Sequence, residues 1–204
     1  LIAGKTPVAV VFALADATVS DPNQLAKDYP QCTHGLAVSI KEYESALSMV
    51  NASEEGWVAV AQFAKNKGNY MDMANGKLAG YSNTKAMKDY KASTGNYSAY
   101  LNVLSGHDVN VAGASSWFMP SLYELSLIAE NYSLLNEKLA AVGDKFEDYA
   151  NSWSSELRSG IYWSSTYLEG MKTQSKPYVL SLNKLDDTMK SHSHVYQVRF
   201  IFAF

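Results

Sequence analysis

The chain has 204 residues, of which 47% are hydrophobic and 18% charged. This composition can bury a sizeable core and excludes a disordered polypeptide, so residues 1–204 are predicted to form a single domain. Its net charge of −3 and its scattered lysines exclude the basic patch that a nucleic-acid partner requires. The sequence contains no apolar run of the roughly 18 residues needed for a membrane-spanning helix. It starts at Leu1 without an initiator methionine or a signal peptide, which is typical of a mature or trimmed product.

Two apolar segments near the start of the chain predict the first strands. Residues 6–15, "TPVAVVFALA", form a continuous valine-rich run that is short enough for a buried strand. Residues 34–40, "HGLAVSI", predict a second strand that begins after Gly35. The polar, proline-containing residues between these segments predict a long connection.

Residues 41–116 carry a weaker pattern and are predicted to form an enlarged, loop-rich insertion. Within it, residues 83–93 place three apolar side chains on one helical face and predict a helix. Residues 54–68 show a helical or mixed pattern.

Residues 120–143 give the clearest helical signal in the chain. Ser121 and Glu124 have the spacing of a capping box, in which each residue hydrogen-bonds the backbone of the other at a helix start. Ser133 is predicted to cap a second short helix, and Gly143 is placed to end it.

After residue 160 the pattern changes to strands. Residues 160–166, 177–183 and 194–204 are the candidates, and in the last one alternate residues predict an aromatic face: Tyr196, Val198, Phe200, Phe202 and Phe204. This closing strand is expected to lie in the middle of a sheet and to pair with the valine-rich opening strand, which would bring the termini together.

Catalysis by a serine nucleophile is disfavoured by the sequence. Ser164 and Ser165 lie outside any nucleophile-elbow motif, and His192 and His194 lack the spacing of a triad. Cys32 is the only cysteine, which excludes an internal disulfide and a paired-cysteine motif.

No cofactor or metal is predicted. The carboxylate-containing triplets with which calcium-dependent lectins bind sugars are missing from the sequence. Asp186 and Asp187 lie near His192 and His194, and a His-x-His pair on a strand faces one way, as a weak zinc or nickel site would require. A polar hairpin with solvated side chains is the favoured interpretation of these residues.

Arg199 stands between apolar neighbours in the closing strand, so a structural role is favoured over ligand contact. A buried arginine needs a carboxylate or carbonyl groups around it, and Glu124 or another acid is the expected partner.

Five segments together resemble a known family. In chain order they are "WFMPSLYEL" (117–125), "LNEKL" (135–139), "YWSST" (162–166), "YVLSLN" (178–183) and "YQVRFIFAF" (196–204). They resemble the C-terminal domain of many surface and fimbrial proteins of gut Bacteroidetes, which has a C-type lectin-like fold. The opening segments "GKTPVAVVF" and "HGLAVSIKE" are also similar to strands of such domains.

The resemblance implies an α+β, C-type lectin-like fold with a mixed or antiparallel sheet, two flanking helices, adjacent termini and a long loop-rich insertion. A ligand-facing region would follow "YWSST", which is itself mostly architectural, and Trp117 and Trp163 would be core anchors. The enzymes of this fold that generate formylglycine need reactive cysteines, so with Cys32 alone that alternative is disfavoured.

The first functional hypothesis is a non-catalytic adhesion domain, extracellular or at the cell surface, that recognises a host glycan or a surface protein without calcium. The alternative is a structural or tip subunit of a bacterial fimbria, whose exposed strand edges would accept a strand from other subunits. The internal use of both termini argues against that alternative. An enzyme comes third and rests on fold analogy alone.

The predicted ligand-binding surface combines aromatic, charged and amide side chains that suit a glycan. It consists of Tyr167, Glu169, Lys172, Gln174, Asp186, Asp187, Lys190, His192 and His194. If the insertion shares this surface, Trp57, Tyr70 and Tyr81 become further candidates.

Overall fold

The structure is a computed structural model that describes residues 6–21, 24–47, 49–50, 56–66, 77–107, 109–142, 157–167, 177–182, 186–189 and 195–204. None of the helices in these ranges combines the length and the apolar character that a membrane-spanning helix needs.

The described residues form an α+β fold. Its strands are β1 (Ala9–Ala13), β2 (Leu36–Ser39), β3 (Tyr43–Ser45), β4 (Met49–Val50), β5 (Tyr97–Ser98), β6 (Leu157–Tyr167), β7 (Pro177–Ser181), β8 (Asp186–Met189), β9 (Val195–Val198) and β10 (Ile201–Ala203). Its helices are α1 (Ala17–Ser20), α2 (Leu25–Asp28), α3 (Gly56–Asn66), α4 (Gly80–Thr94), α5 (Tyr100–Ser105), α6 (Leu122–Glu130) and α7 (Tyr132–Ala140). The strands predicted at both ends of the chain and the helix predicted at 83–93 are confirmed.

The strands form three sheets. One has the order β1-β2-β10, the second has the order β3-β9-β6-β7-β8, and β4 pairs with β5. The second sheet is mixed, because β6 runs parallel to β9 while its other pairs are antiparallel. The described part of residues 41–116 contributes α3, α4 and α5, in agreement with the helical patterns at 54–68 and 83–93, while the insertion as a whole stays a prediction.

Residues 195–203 belong to both larger sheets, since β9 lies between β3 and β6 while β10 pairs with β2. The predicted aromatic face is confirmed: Tyr196, Val198, Phe200 and Phe202 are buried in one core cluster and Phe204 packs against it. Ile201 and Ala203 point to the other cluster. The predicted pairing of the opening strand with the closing strand is wrong, because β2 lies between β1 and β10.

The "YWSST" segment is buried on both faces of β6, since every side chain from Tyr162 to Thr166 is at most 3% exposed. The indole N–H of Trp163 donates to the Ser45 carbonyl at 2.8 Å, and the Thr166 hydroxyl accepts from the Leu122 amide at 2.9 Å. Buried polar groups that are satisfied in this way fix the strand against its neighbours. The segment is therefore architectural, as predicted.

Arg199 is buried and its carboxylate partner is Glu42. The guanidinium Nε donates to Glu42 Oε2 at 2.9 Å, and another of its nitrogens donates to the carbonyls of Ser39 and Ile40 at 3.0 and 2.6 Å. The Tyr162 hydroxyl donates to the same Glu42 oxygen at 2.6 Å. The structural role and a carboxylate partner are confirmed, and the acid is Glu42 and not Glu124, which caps α6.

The two predicted helices of residues 120–143 are α6 and α7. Ser121 and Glu124 form the predicted capping box at the start of α6. The predicted cap at Ser133 is wrong, because α7 already begins at Tyr132 and Asn131 is its N-cap residue. The predicted stop at Gly143 lies outside the described residues.

Two buried carboxyl groups lie at the N-terminus of α4, whose own N-cap residue, Ala79, supplies no side-chain cap. Asp21 accepts hydrogen bonds from the Ser82 amide at 2.9 Å and from the Ser82 hydroxyl. Glu124 accepts from the Ser121 amide at 2.6 Å and also from the Gly80 amide. Carboxyl groups from outside the helix thus satisfy amides that a helix leaves unpaired at its N-terminus.

Gly80 is required by this close approach. A Cβ atom built at position 80 would lie 2.3 Å from Glu124 Oε2 and 2.6 Å from the Met119 carbonyl oxygen, well inside contact distance. The Met119 atom belongs to the backbone and cannot swing away, so a side chain at this position forces α4 and the segment before α6 apart.

Complete burial of Glu124 raises its pKa to about 8, although the hydrogen bonds from Ser121 lower it. The carboxyl group is therefore protonated at neutral pH in the folded protein and ionised in the unfolded chain. The folded protein holds one proton more than the unfolded chain across the interval from 4.5 to about 8.

Replacing Gly80 by alanine is expected to lower the free energy of unfolding by about 2 kcal/mol, because the added methyl group overpacks a site with no room. Urea denaturation measures the effect. Gly106→Ala is the matched control, since a Cβ there would meet only atoms at 3.5 Å or beyond, and it should stay within about 0.5 kcal/mol of wild type. Equal stability of both variants would contradict the close approach.

Between about pH 5 and about pH 8, the Glu124 contribution to stability should fall as pH rises, by up to ~1.4 kcal/mol per pH unit. Glu124→Gln removes this titration, so its stability relative to wild type should improve across that interval. Urea denaturation at several pH values measures it. Glu44→Gln, which replaces an exposed carboxylate, is the control, and its stability should change with pH as that of wild type does. If the stability of Glu124→Gln also changes with pH as that of wild type does, Glu124 is ionised in the folded protein.

Candidate functional site

A cavity of about 490 Å³ lies beside the C-terminal half of α4. Its lining comes from α4, from α5, from residues 107–117 and from Tyr29, which follows α2. These segments are far apart in sequence and are held in place by the core cluster that α4 and α5 share with the last strands. The volume lies in the range of small-molecule binding sites.

Two lysines of α4 give the cavity a positive charge. Lys88 and Lys91 are three residues apart and so project from the same side of the helix. The amine of Lys91 lies 3.8 Å from the centre of the Tyr97 ring, a cation–π contact that restrains it. Burial and the nearby Lys85 lower the pKa of Lys88. Among the described residues that line the cavity there is no aspartate or glutamate to neutralise these cations.

His107 supplies a buried polar atom without a partner. The imidazole is 7% exposed, and its Nδ1 lies 2.5 Å from the Tyr43 hydroxyl. Nε2 has no hydrogen-bond partner among the described residues, whichever nitrogen carries the proton. Burial, together with the charge of Lys41, lowers the pKa of His107, so the ring is neutral at pH 7. An unsatisfied buried group of this kind costs about 1–3 kcal/mol unless a water or a ligand meets it.

Trp117 and Tyr29 add aromatic walls to the cavity. The Trp117 ring lies edge-on to His107 at 4.4 Å between centres, and its indole N–H is used by the Val109 carbonyl at 2.5 Å. Trp117 is thus buried as predicted, but it also forms part of a cavity. Exposed polar side chains, those of Asn110 and Ser116, complete the lining.

The free edge of β1 is a second candidate surface. The Val8 carbonyl accepts a hydrogen bond from the Ile40 amide, and β1 is antiparallel to β2. Because successive residues of a strand direct their backbone groups to opposite edges, those of Val10 also point toward β2. The backbone groups of Ala9 and Val11 point to the outer edge. In the described part of the chain, no strand pairs with this outer edge. Val11 is 48% exposed and Leu14, just beyond the strand, is 84% exposed.

The predicted ligand-binding surface is described only in part. Glu169, Lys172, Gln174, Lys190, His192 and His194 lie outside the described residues. Tyr167 ends β6 opposite Pro177, the first residue of β7, while Asp186 and Asp187 pair with the other end of that strand. The strand register therefore separates Tyr167 from Asp186 by four residues along β7, about 13 Å. The set as a whole stays a prediction.

The serines and the cysteine weighed for catalysis occupy structural positions. Ser164 and Ser165 are buried, and Ser165 accepts a hydrogen bond from the Asn83 amide at 3.2 Å. Cys32 is buried as well, with its sulfur 3.7 Å from the Gly113 carbonyl, and burial raises the pKa of its thiol. Within the described ranges, no three metal-ligating side chains come together.

Sequence reasoning missed the cavity but had part of the signal. The two lysines three residues apart on a predicted helix indicate a charged face, but nothing in the sequence shows that His107 lies beside them. Of the candidates named in the insertion, Tyr81 is buried and donates to Asp28 at 2.8 Å, so it is a core residue. The side chain of Trp57 and all of Tyr70 lie outside the description.

Comparison with known proteins gives a fold. No protein-family model and no curated protein matches the sequence. The structure is similar to the crystal structure of a fimbrial protein from Bacteroides ovatus ATCC 8483, with a TM-score of 0.70 and 18% sequence identity. The similarity covers 99% of this chain and 46% of that protein, so the chain spans less than half the length of the protein it resembles. At this identity the similarity establishes a shared fold.

Proposed function

We propose that this chain is a non-enzymatic domain of a surface fimbrial subunit. The observation that carries the proposal is the similarity of almost the whole chain to part of a fimbrial protein, at a TM-score of 0.70. The proposal places the chain outside the cell or on its surface, with other fimbrial subunits as partners. It favours the alternative drawn from the sequence over a dedicated glycan-binding adhesin.

The edge of β1 supports a role in assembly. An exposed edge strand presents a row of unpaired backbone groups to which another strand can add. Natural edges are often protected by lysine or proline, whereas Ala9–Ala13 is apolar throughout and contains neither. Val11 and Leu14 offer apolar contacts beside the unpaired backbone groups. In our proposal this edge accepts a strand from a neighbouring subunit.

The closing strands constrain how such an assembly forms. β9 and β10 are both paired inside the domain, and the Phe204 carbonyl accepts from the amides of His34 and Gly35 at 2.7 and 3.2 Å. Residues 195–204 are therefore not the donated strand. The domain acts as the acceptor, and the incoming strand comes from elsewhere in the partner subunit.

The finer proposal is a C-type lectin-like fold with ligand recognition at a fimbrial tip. Two features support it: helices α6 and α7 flank the sheets, and the closing strand is interior to a sheet, as the family resemblance implies. In this proposal the nine-residue surface predicted from the sequence, which includes Tyr167, faces the ligand. Mutating Tyr167 and His194 together should abolish binding of the domain to a glycan array without unfolding it. Retained binding would show that the ligand binds elsewhere on the domain.

Strand addition at β1 predicts concentration-dependent polymerisation of the purified protein, measured by light scattering. Val11→Pro removes an N–H that points to the free edge and leaves the hydrogen bonds to β2 in place, so polymerisation should be lost while the thermal unfolding temperature changes little.

Leu14→Ser is the matched control, because it removes an exposed apolar side chain outside the strand. If strand pairing drives assembly, this variant should still polymerise. Loss of scattering in the serine variant alone would indicate general apolar association, and a flat signal for wild type would contradict strand addition between copies of this chain.

A further inference from the structure

We propose that the cavity beside α4 binds a carboxylate-bearing sugar of the uronic-acid type, independently of any assembly role at β1. Lys88 and Lys91 would hold the carboxylate, and His107 would hydrogen-bond a ring hydroxyl. The cavity involves neither the free edge of β1 nor the surface predicted from the sequence.

The charge of the cavity selects an anion. Lys88 and Lys91 lie on one side of α4, and Lys88 has no ion-pair partner among the described residues. The neighbouring Lys85 differs, because it is paired with Asp28 at 3.5 Å. A bound carboxylate would offset the mutual repulsion of the lysines and accept charge-assisted hydrogen bonds from both amines.

The remaining polar groups select a hydroxyl-rich ligand. His107 Nε2 is buried without a partner, and a sugar hydroxyl satisfies it in either tautomer because a hydroxyl both donates and accepts. Asn110 and Ser116 add an exposed amide and an exposed hydroxyl to the lining. A peptide carboxyl terminus would pair with the lysines but would bring no hydroxyl to His107.

The aromatic walls and the size agree with a sugar. Tyr29, which is half-buried, offers a rigid apolar surface on which the C–H face of a sugar ring packs, while Trp117, which is 6% exposed, contributes a smaller part of the lining. About 490 Å³ accommodates one or two sugar rings. The sugar ring, its carboxylate and its hydroxyls thus each find a matching part of the lining.

Isothermal titration calorimetry of the full chain with glucuronate tests the proposal. We expect a dissociation constant of about 1 mM or tighter, and binding of methyl glucoside, which lacks the carboxylate, weaker by at least about tenfold. Acetyl-alanine, which offers a carboxylate without hydroxyls, should also bind at least about tenfold more weakly. Equal binding of acetyl-alanine would overturn the proposal in favour of a peptide carboxylate. Equal binding of methyl glucoside would show that the lysines do not bind a carboxylate and would overturn it as well.

The double variant Lys88→Gln, Lys91→Gln should reduce glucuronate affinity by at least about tenfold. Lys85→Gln is the matched control: it removes one charge from the same helix outside the cavity and should leave the affinity unchanged. An equal loss in the control would show general attraction by the charged surface and would overturn the assignment, as would an unchanged affinity in a folded double variant.

Discussion

The packing of carboxyl groups against the amino end of α4 is the constraint on which the rest of the domain depends. Asp21 reaches this helix end from the connection between α1 and α2, and Glu124 reaches it from the first turn of α6. The fully buried carboxyl group of Glu124 is tolerated there because backbone amides donate to it and because it is protonated at neutral pH. The absence of a side chain at Gly80 lets α4 approach the segment from Phe118 to Glu124. Since the cavity lies along the other half of the same helix, this contact also fixes where the lysines stand relative to His107.

Local patterns predicted local structure well in this chain. The capping box of Ser121 and Glu124 needs only neighbouring residues, and the alternation of residues 196–204 follows directly from strand geometry. Long-range partners were not predictable in this way. Arg199 and Glu42 are 157 positions apart, and no periodicity distinguishes Glu42 from the other carboxylates of the chain. The position of β2 between β1 and β10 is likewise not predictable, because strand propensity does not determine the order of strands in a sheet.

The two candidate sites also differ in how much of each can be predicted from local sequence. The edge of β1 follows from a recognisable apolar strand together with the sheet order. The cavity combines Tyr29, Lys88 and His107 from three separate segments, so it exists only once these segments are folded together. The similarity to a fimbrial protein at 18% identity shows that two very different sequences adopt one fold.

The position of residues 195–203 has a consequence for biosynthesis. β9 lies inside one sheet and β10 completes the other, while the first strands of these sheets begin at Tyr43 and Ala9, so neither sheet can be completed until residues 195–203 have left the ribosome. Contacts between such distant parts of a chain form slowly, because a long loop must be ordered first. This domain therefore stays open until residues 195–203 have been synthesised, which leaves time for a chaperone to engage it before it folds.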